Sequence, residues 1–303
     1  MKNILVTGAT GFIGRHCLPM LIDKGYDVHA ISSNPVFNPD GLNIKWHQCD
    51  LLNINETSHL LNTIAPSKLL HFAWYAKPDK YWDSLNNFDW IQASLHLIKE
   101  FHAVGGKRVV VAGTCAEYDW DYGYCSEYLT PLFPDSTYGK CKHALQMLLE
   151  SFSNQSGLSS AWGRIFYLYG PYENEKRLVS SVITSLKNKQ FAKCSQGLIY
   201  RDFLHVKDVA NAFIALLESN VSGPVNIGSG SPVMIKDLIL MIANKFERLD
   251  LIELGALKSQ PDEARLLVAN TSKLNNEIKW TPDYTLDSGL DQTISWWKSQ
   301  PGM

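Results

Sequence analysis

The chain opens on its most constraining feature: the apolar run Lys2–Thr7 leads straight into Gly8-Ala9-Thr10-Gly11-Phe12-Ile13-Gly14, and a helical pattern, His16–Lys24, follows at once. An apolar run of this length bounded by glycine reads as a buried strand. A strand that turns within a few residues into a helix is the first half of a βαβ unit. Glycine lets another backbone or a ligand approach the turn closely, while the helix start offers unpaired N–H groups and a positive dipole end. The ligand these features favour is the pyrophosphate of a dinucleotide. The spacing is Gly-x-x-Gly-x-x-Gly, not the tighter Gly-x-Gly-x-x-Gly. Three glycines at fixed offsets arise easily by chance, so the specificity lies in their place between strand and helix. Gly8, Thr10, Gly11, Phe12, Ile13, Gly14 and the following Arg15 are the first cofactor-binding candidates.

The theme repeats along the first half. Asp27–Ser32, Lys68–Phe72 and Arg108–Ala112 read as strands, with a helix near Ile91–Val104 between the last two. Short apolar strands separated by helices predict a parallel sheet covered on both faces, and right-handed crossovers make it doubly wound, a Rossmann-like α/β fold. The second half is less regular. Gly163–Tyr169 reads as one more strand, Val206–Glu218, Ile235–Phe246 and Leu286–Lys298 as helices, and Gly223–Gly230 as turn-rich. No repeat or low-complexity linker divides the 303 residues, so a smaller C-terminal substrate lobe interleaves with the first domain. Residues 1–170 make the dinucleotide-binding domain, with 201–220 returning to it; 171–200 and 221–303 make the substrate lobe.

Charge and cysteine usage narrow the partners. With 28 Lys and Arg against 30 Asp and Glu, and no long run of one sign, nothing suggests a nucleic-acid or membrane-surface binder. No apolar run approaches membrane-spanning length and no basic, apolar leader precedes the first strand, so the expectation is a cytoplasmic protein. Of Cys17, Cys49, Cys115, Cys125, Cys141 and Cys194, no two stand three apart, which predicts reduced thiols and no metal.

A carboxylate that reads the adenosine ribose is expected where the second strand ends; Ser32-Ser33-Asn34 stands there. Without that acid a 2′-phosphate is not repelled, and Arg15 can pair with it, so NADP(H) is favoured and NAD(H) remains open. Asp50-Leu51 can hold the adenine edge, although an Asp in a turn is equally a cap.

Tyr138 and Lys142 stand four apart at the start of a helical stretch running through Ser151, and share one face. A free phenol titrates near pH 10, and a neighbouring ammonium favours its anion, so the pair can exchange a proton with a reacting oxygen while Lys142 also holds the nicotinamide ribose. Tyr172 and Lys176 repeat the spacing, so context decides: the Tyr138 helix follows the strand ending near Ala112, at the crevice of a doubly wound sheet. Thr114, in Gly113-Thr114-Cys115-Ala116-Glu117-Tyr118, supplies the hydroxyl that stabilises the reacting oxygen. Cys115 has no evident base partner and reads as an inert thiol.

With these residues in place the chain resembles the extended short-chain dehydrogenases, specifically the NAD-dependent epimerase/dehydratase family of nucleotide-sugar enzymes. The resemblance covers nearly the whole chain. Gly8, Gly11 and Gly14 match its fingerprint, Asp50-Leu51 its adenine-binding pair, and His71-Phe72-Ala73 the segment under the cofactor, where Trp74 replaces the usual second alanine. Thr114, Tyr138 and Lys142 fall on the family triad, with Thr114 four before Tyr118 of its Val-Tyr-Gly element, here Glu117-Tyr118-Asp119. Tyr169-Gly170-Pro171, Arg201-Asp202-Phe203-Leu204-His205-Val206-Lys207-Asp208-Val209 and Asn226-Ile227-Gly228 match its later elements. The resemblance implies that Phe72, Ala73 and Trp74 touch cofactor, and that Arg201 and Arg265 clamp the sugar-nucleotide diphosphate. Tyr167 replaces the asparagine usual two residues before Tyr-Gly-Pro, which alters the substrate contacts, and Trp74, Tyr75, Tyr81, Trp82 and Trp120 either line the sugar site or pack the core.

The leading expectation is an NAD(P)-dependent reductase of a nucleotide-linked 4-keto(-6-deoxy) sugar. Trp74, Thr114, Tyr167, Arg201 and Arg265 then face the substrate, and the partner helices Phe88–Val104 and Tyr138–Phe152 imply a homodimer by resemblance. The alternatives are an NAD-dependent nucleotide-sugar 4-epimerase, which needs the same triad, and a non-catalytic NADP(H)-binding regulator, against which the intact Tyr138 and Lys142 argue. A 4,6-dehydratase needs a further acid and base, which the resemblance implies would directly follow Thr114; Cys115 and Ala116 stand there, and Glu117, in a strand-like segment, faces the other way.

Overall fold

The computed structural model describes residues 2–35, 41–258 and 263–300. Five strands of the first half, β1 (Asn3–Thr7), β2 (Asp27–Ser32), β3 (Ile44–Gln48), β4 (Lys68–His71) and β5 (Arg108–Thr114), join Ser159–Ile165 and Gly223–Ile227 in one seven-stranded sheet. Every pairing is parallel, with Val6 between Ala30 and Leu70. The order is Gly223–Ile227, Ser159–Ile165, β5, β4, β1, β2, β3. The chain winds outward from β1 to β3 and then crosses back to β4, so a crevice opens at the carboxyl ends of β1 and β4.

Alternate residues of each strand point to opposite faces, and both are covered. Ile4, Val6, Val28 and Val110 pack beneath α1 (Gly14–Asp23) and the Val206–Glu218 helix, through Leu18, Leu21, Phe213 and Leu217. Leu5, Leu69, Val109 and Val111 pack beneath α2 (Ile54–Ile64), α3 (Asn86–Ala103) and α4 (Thr137–Ser156), through Leu61, Leu97, Phe101 and Leu145. Burying each such side chain contributes roughly 1.5–3 kcal/mol, which explains why strands so short are stable in the centre of the sheet. Among the described residues no helix is long and apolar enough to cross a membrane.

The second lobe is built on a smaller sheet of Pro232–Met234, Tyr200–His205, Leu266–Ala269 and Tyr124–Cys125, with Tyr167–Tyr169 beside Tyr200–His205. The helices Leu178–Lys187, Ile235–Lys245 and Leu286–Ser299 pack together around Ile183, Ile239, Ile242 and Leu290.

Three expectations are corrected here. Gly163–Tyr169 is two strands: Ser159–Ile165 belongs to the large sheet and Tyr167–Tyr169 to the small one, with Phe166 between them. Only Phe166 separates the two strands, so the sequence pattern does not register the change of partner. The segment expected only to turn, Gly223–Gly230, begins with the edge strand Gly223–Ile227 of the large sheet, an edge position being where Pro224 costs little. The first domain therefore reclaims residues assigned to 221–303, including Leu274 and Trp280 in its core, while 259–262 and 301–303 lie outside the described residues. Within 201–220 the helix Val206–Glu218 returns to the large sheet, but Tyr200–His205 stays in the small one.

Candidate active site

The glycine turn is set by how closely it approaches β4. Gly8 has φ +62°, and a Cβ there would lie 2.8 Å from the backbone nitrogen of Ala73. A Cβ on Gly14 would collide with the carbonyl of Gly8, and Gly11 donates its N–H to that same carbonyl at 2.9 Å. The end of β4 is held in place by Thr7, whose hydroxyl accepts from Ala73 N–H at 3.2 Å and lies 2.7 Å from His71 Nδ1. Burial drives the His71 pKa down to about 3, so the ring stays neutral between Thr7 and Ser94. Gly8, Gly11, Phe12, Ile13 and Gly14 face Phe72, Ala73 and Trp74 across a cavity of about 650 Å³. The cradle fits a dinucleotide, because the close backbone packing that only these glycines allow presents the turn and the start of α1 to the cavity.

Arg15 is turned elsewhere than the sequence suggested. It donates from Nη2 to the carbonyl of Thr10 at 2.6 Å and from Nε to that of Gly11 at 3.3 Å, with its guanidinium 4.2 Å from the centre of the Tyr172 ring. Ser32 is buried and accepts from Asn34 N–H at 3.2 Å, while Ser33 is exposed. Arg15 thus ties the glycine turn to Tyr172. Thr10 is exposed, and Asp50 closes a turn by accepting from Leu52 N–H at 3.0 Å beside the buried Leu51; none of these three is on the cavity wall.

At the end of β5 the chain forms a short 3₁₀ turn, Cys115–Glu117, capped by Thr114. The Thr114 hydroxyl accepts from Ala116 N–H at 3.2 Å, and Thr114 N–H donates to Glu117 Oε1 at 2.9 Å. Helix α4 starts at Ser136, whose hydroxyl accepts from Gly139 N–H at 3.1 Å. Gly139 lies against the carbonyl of Ala116, where any Cβ would collide, so the helix rests directly on the 3₁₀ turn. That contact brings Tyr138 to the Thr114 hydroxyl. Burial and the neighbouring Tyr81 push the Tyr138 pKa above its ordinary value, with the Thr114 hydrogen bond pulling the other way. Lys142 donates to the carbonyl of Ala112 at 2.9 Å and stands 3.8 Å from the centre of the Trp74 ring. Burial lowers its pKa to about 7, opposed by the charge of Glu117.

Glu117 was missed as an anchor. It is fully buried and accepts from Thr114 N–H, from Trp162 Nε1 at 2.8 Å and from Arg164 Nε at 2.7 Å. Thr114 and Glu117 have the spacing of a capping box, the one signal in the sequence that could have found it. Its oxygens are turned from the cavity, as expected, though by a tight turn and not by strand alternation.

On the second-lobe side Tyr167 reaches the cavity, but Arg201 sits behind it. Arg201 is inaccessible, donating to Tyr167 Oη at 3.1 Å, to the carbonyls of Tyr200 and Ala264 at 2.8 Å each, and to Glu263 Oε1 at 3.0 Å. Arg265 is exposed and also off the wall. The cation that lines the cavity there is Arg177, at the start of the Leu178–Lys187 helix, its guanidinium 5.7 Å from the centre of the Tyr81 ring. Beside it Glu173 is buried, and its Oε2 has no partner. That burial raises its pKa to about 8, with Ser180 and Arg177 pulling it down. Nothing local marks Arg177 or Glu173 in the sequence; the fold alone brings them to this wall. Trp74, Tyr81, Trp82 and Trp120 line the cavity, and Tyr75 does not. Among the described residues no group of three or more His, Cys, Asp or Glu is placed to hold a metal ion.

The sequence profile described as the NAD dependent epimerase/dehydratase family matches residues 4–228. The chain is 24% identical to CDP-abequose synthase of Salmonella typhimurium, over 97% of each protein. It is 26% identical to UDP-glucose 4-epimerase of Corynebacterium glutamicum, over 93% of this chain and 92% of that one. The structure of UDP-N-acetylglucosamine 4-epimerase from Methanobrevibacter ruminantium matches with a TM-score of 0.89 at 27% identity, over 99% of each chain.

Proposed function

Since this chain belongs to the NAD-dependent epimerase/dehydratase family of nucleotide-sugar enzymes, we propose that it reduces a nucleotide-linked 4-keto-6-deoxy sugar at C4. One observation carries this reading: beside β5 the acid–base equipment is a single hydroxyl pair, Thr114 and Tyr138, on the cavity wall with Lys142. Reduction at one carbon needs no more than this, a single acid that delivers a proton to the new alkoxide. The carboxylate nearest to Thr114 in sequence, Glu117, is engaged by Trp162 and Arg164, which argues against a second proton transfer that removes water across two carbons.

The glycine turn and Lys142 would hold the nicotinamide cofactor, which supplies the hydride. Thr114 donates a hydrogen bond to the reacting oxygen, lowering the cost of charge there, and Tyr138 protonates it. Arg177 meets the diphosphate at the far end, in place of the expected Arg201 and Arg265. NADP(H) is the preferred form, now only because Ser32 and Ser33 leave no acid to repel a 2′-phosphate. Exposed Phe88 on α3 and Met147 and Leu148 on α4 support a homodimer through these helices, which light scattering would check. The six thiols, all free and buried, suit a reducing cytoplasm.

The test is NAD(P)H oxidation on addition of a nucleotide-linked 4-keto-6-deoxyhexose, expected to be catalytic. In parallel the oxidised-cofactor enzyme is given nucleotide-linked hexoses. A C4 epimer formed with no net cofactor consumption, or accumulation of a 4-keto-6-deoxy product, would replace the reductase assignment.

A further inference from the structure

Lys142 stands in an aromatic setting that the resemblance does not imply. Trp74 occupies a position where the resemblance expects alanine, and the Lys142 ammonium lies 3.8 Å from the centre of its ring. That ring is fixed by the start of α3. Trp74 Nε1 donates to Asn87 Oδ1 at 2.8 Å, and the inaccessible Asn87 donates in turn to the carbonyls of Tyr81 at 2.7 Å and Ser84 at 2.9 Å. A second indole, Trp162, has its ring centre 5.9 Å from the same ammonium and its Nε1 bound to Glu117 at 2.8 Å. Lys142 itself is buried and donates to the carbonyl of Ala112 at 2.9 Å.

An ammonium carries three donors, and burying it against a carbonyl is costly unless something else offsets its charge. The π face of an indole does so, and more strongly once water is excluded. We propose that Trp74 is a positioning residue whose ring face clamps the Lys142 ammonium at the cavity wall beside Tyr138. This rests on the Lys142–Tyr138 pair of the proposed function, which reduction and epimerisation share. Burial lowers the Lys142 pKa to about 7, so near neutrality its charge depends on what faces it. Glu117, on the 3₁₀ turn, favours the ammonium and is itself paired with Arg164. His71, on β4, stays neutral between Thr7 and Ser94, and Tyr138, on the same helix as Lys142 and near Tyr81 and Cys115, is held protonated. Trp74 acts on the ammonium without carrying a charge, so replacing it isolates the effect of the ring face.

The experiment compares Trp74→Leu, which keeps an apolar wall without a π face, with Trp74→Phe, which keeps a smaller face. NMR titration of the cofactor-free protein, labelled at lysine Cε, follows the Lys142 signal, assigned by its loss in Lys142→Met. Trp74→Leu is expected to lower the Lys142 protonation constant by roughly three- to thirtyfold, the span of a cation–π contact from exposed to desolvated sites, and Trp74→Phe by less. The alkaline limb of kcat/KM for NAD(P)H oxidation with a nucleotide-linked 4-keto sugar is expected to move to lower pH by the same step, because the ammonium is the active form. A Leu midpoint that is unmoved, raised or equal to that of Phe overturns the proposal, since the ring would then only fill space. A lowered midpoint with an unmoved limb overturns the role in the reaction. Where Trp74→Leu does not fold, Trp74→Phe against the wild type decides: a lowered midpoint supports the clamp and an unmoved one overturns it. A lowered midpoint in a protein whose wild type oxidises no NAD(P)H with the 4-keto sugar supports the clamp and overturns the reductase reading alone.

Discussion

Two buried carboxylic acids flank the cavity, one on each lobe, in opposite circumstances. Glu117, on the turn after β5, has both oxygens occupied, by the Thr114 N–H, the Trp162 indole and the Arg164 guanidinium. Glu173, where the chain enters the second lobe, is almost as inaccessible, yet its Oε2 has no partner. The residue before it, Tyr172, has a left-handed φ of 69°, a conformation that a bulky side chain takes only when its surroundings impose it. A fully satisfied network rigidifies, and here it fixes the turn that presents Thr114 to Tyr138. A buried acid with one oxygen unpartnered, next to a strained residue, contributes less to stability than a satisfied one. On the proposed function the first-lobe wall carries the chemistry and the second-lobe wall meets the rest of the substrate.

Four measurements break or sharpen this contrast. Tyr138→Phe removes the proton donor from the fixed wall while keeping its ring, so turnover should fall by about 10²–10⁴ with cofactor affinity little changed. Steady-state rates with a cofactor titration check this, and near-normal turnover would end the mechanism. Arg164→Met leaves Glu117 buried and uncompensated, and should cost about 3–5 kcal/mol in urea unfolding. A loss no greater than that of a surface substitution would mean that the network is not what holds the turn.

The two walls should also respond to pH in opposite senses. The Glu173 pKa is raised to about 8, so its contribution to stability is complete below the ordinary carboxylate range and is lost as pH rises through 8. Glu173→Gln should accordingly match the wild type near pH 4.5 and exceed it above pH 8, by roughly 1–3 kcal/mol. The Lys142 pKa is lowered to about 7, so its contribution is complete above the ordinary lysine value and is lost as pH falls through 7. Lys142→Met should flatten that slope, and melting curves across pH check both variants; parallel curves would dissolve the contrast. The smallest effect is expected from Arg15→Ala. Because Arg15 is tied to Thr10, Gly11 and Tyr172, its loss should leave the ratio of NADPH to NADH affinity unmoved, and a collapse of that ratio in titrations would return Arg15 to the 2′-phosphate.

What the sequence determined by itself is what a few neighbouring residues settle among themselves. The apolar runs Ile4–Val6 in β1 and Val109–Val111 in β5 have nothing polar to show to solvent, so they become buried strands wherever they fall. Gly8 supplies the positive φ of its turn, and Tyr138 and Lys142 share a face because helical geometry puts them there. Tertiary structure decided the partners. Glu117 meets Arg164 across 47 residues and Arg201 meets Glu263 across 62, and no local periodicity carries that information. Arg201 therefore read as a ligand clamp but is enclosed behind Tyr167, while Arg177, unmarked in the sequence, lines the cavity. Backbone propensity acts over a turn of chain, whereas the pairing of a buried charge depends on which distant segment the packed core places beside it.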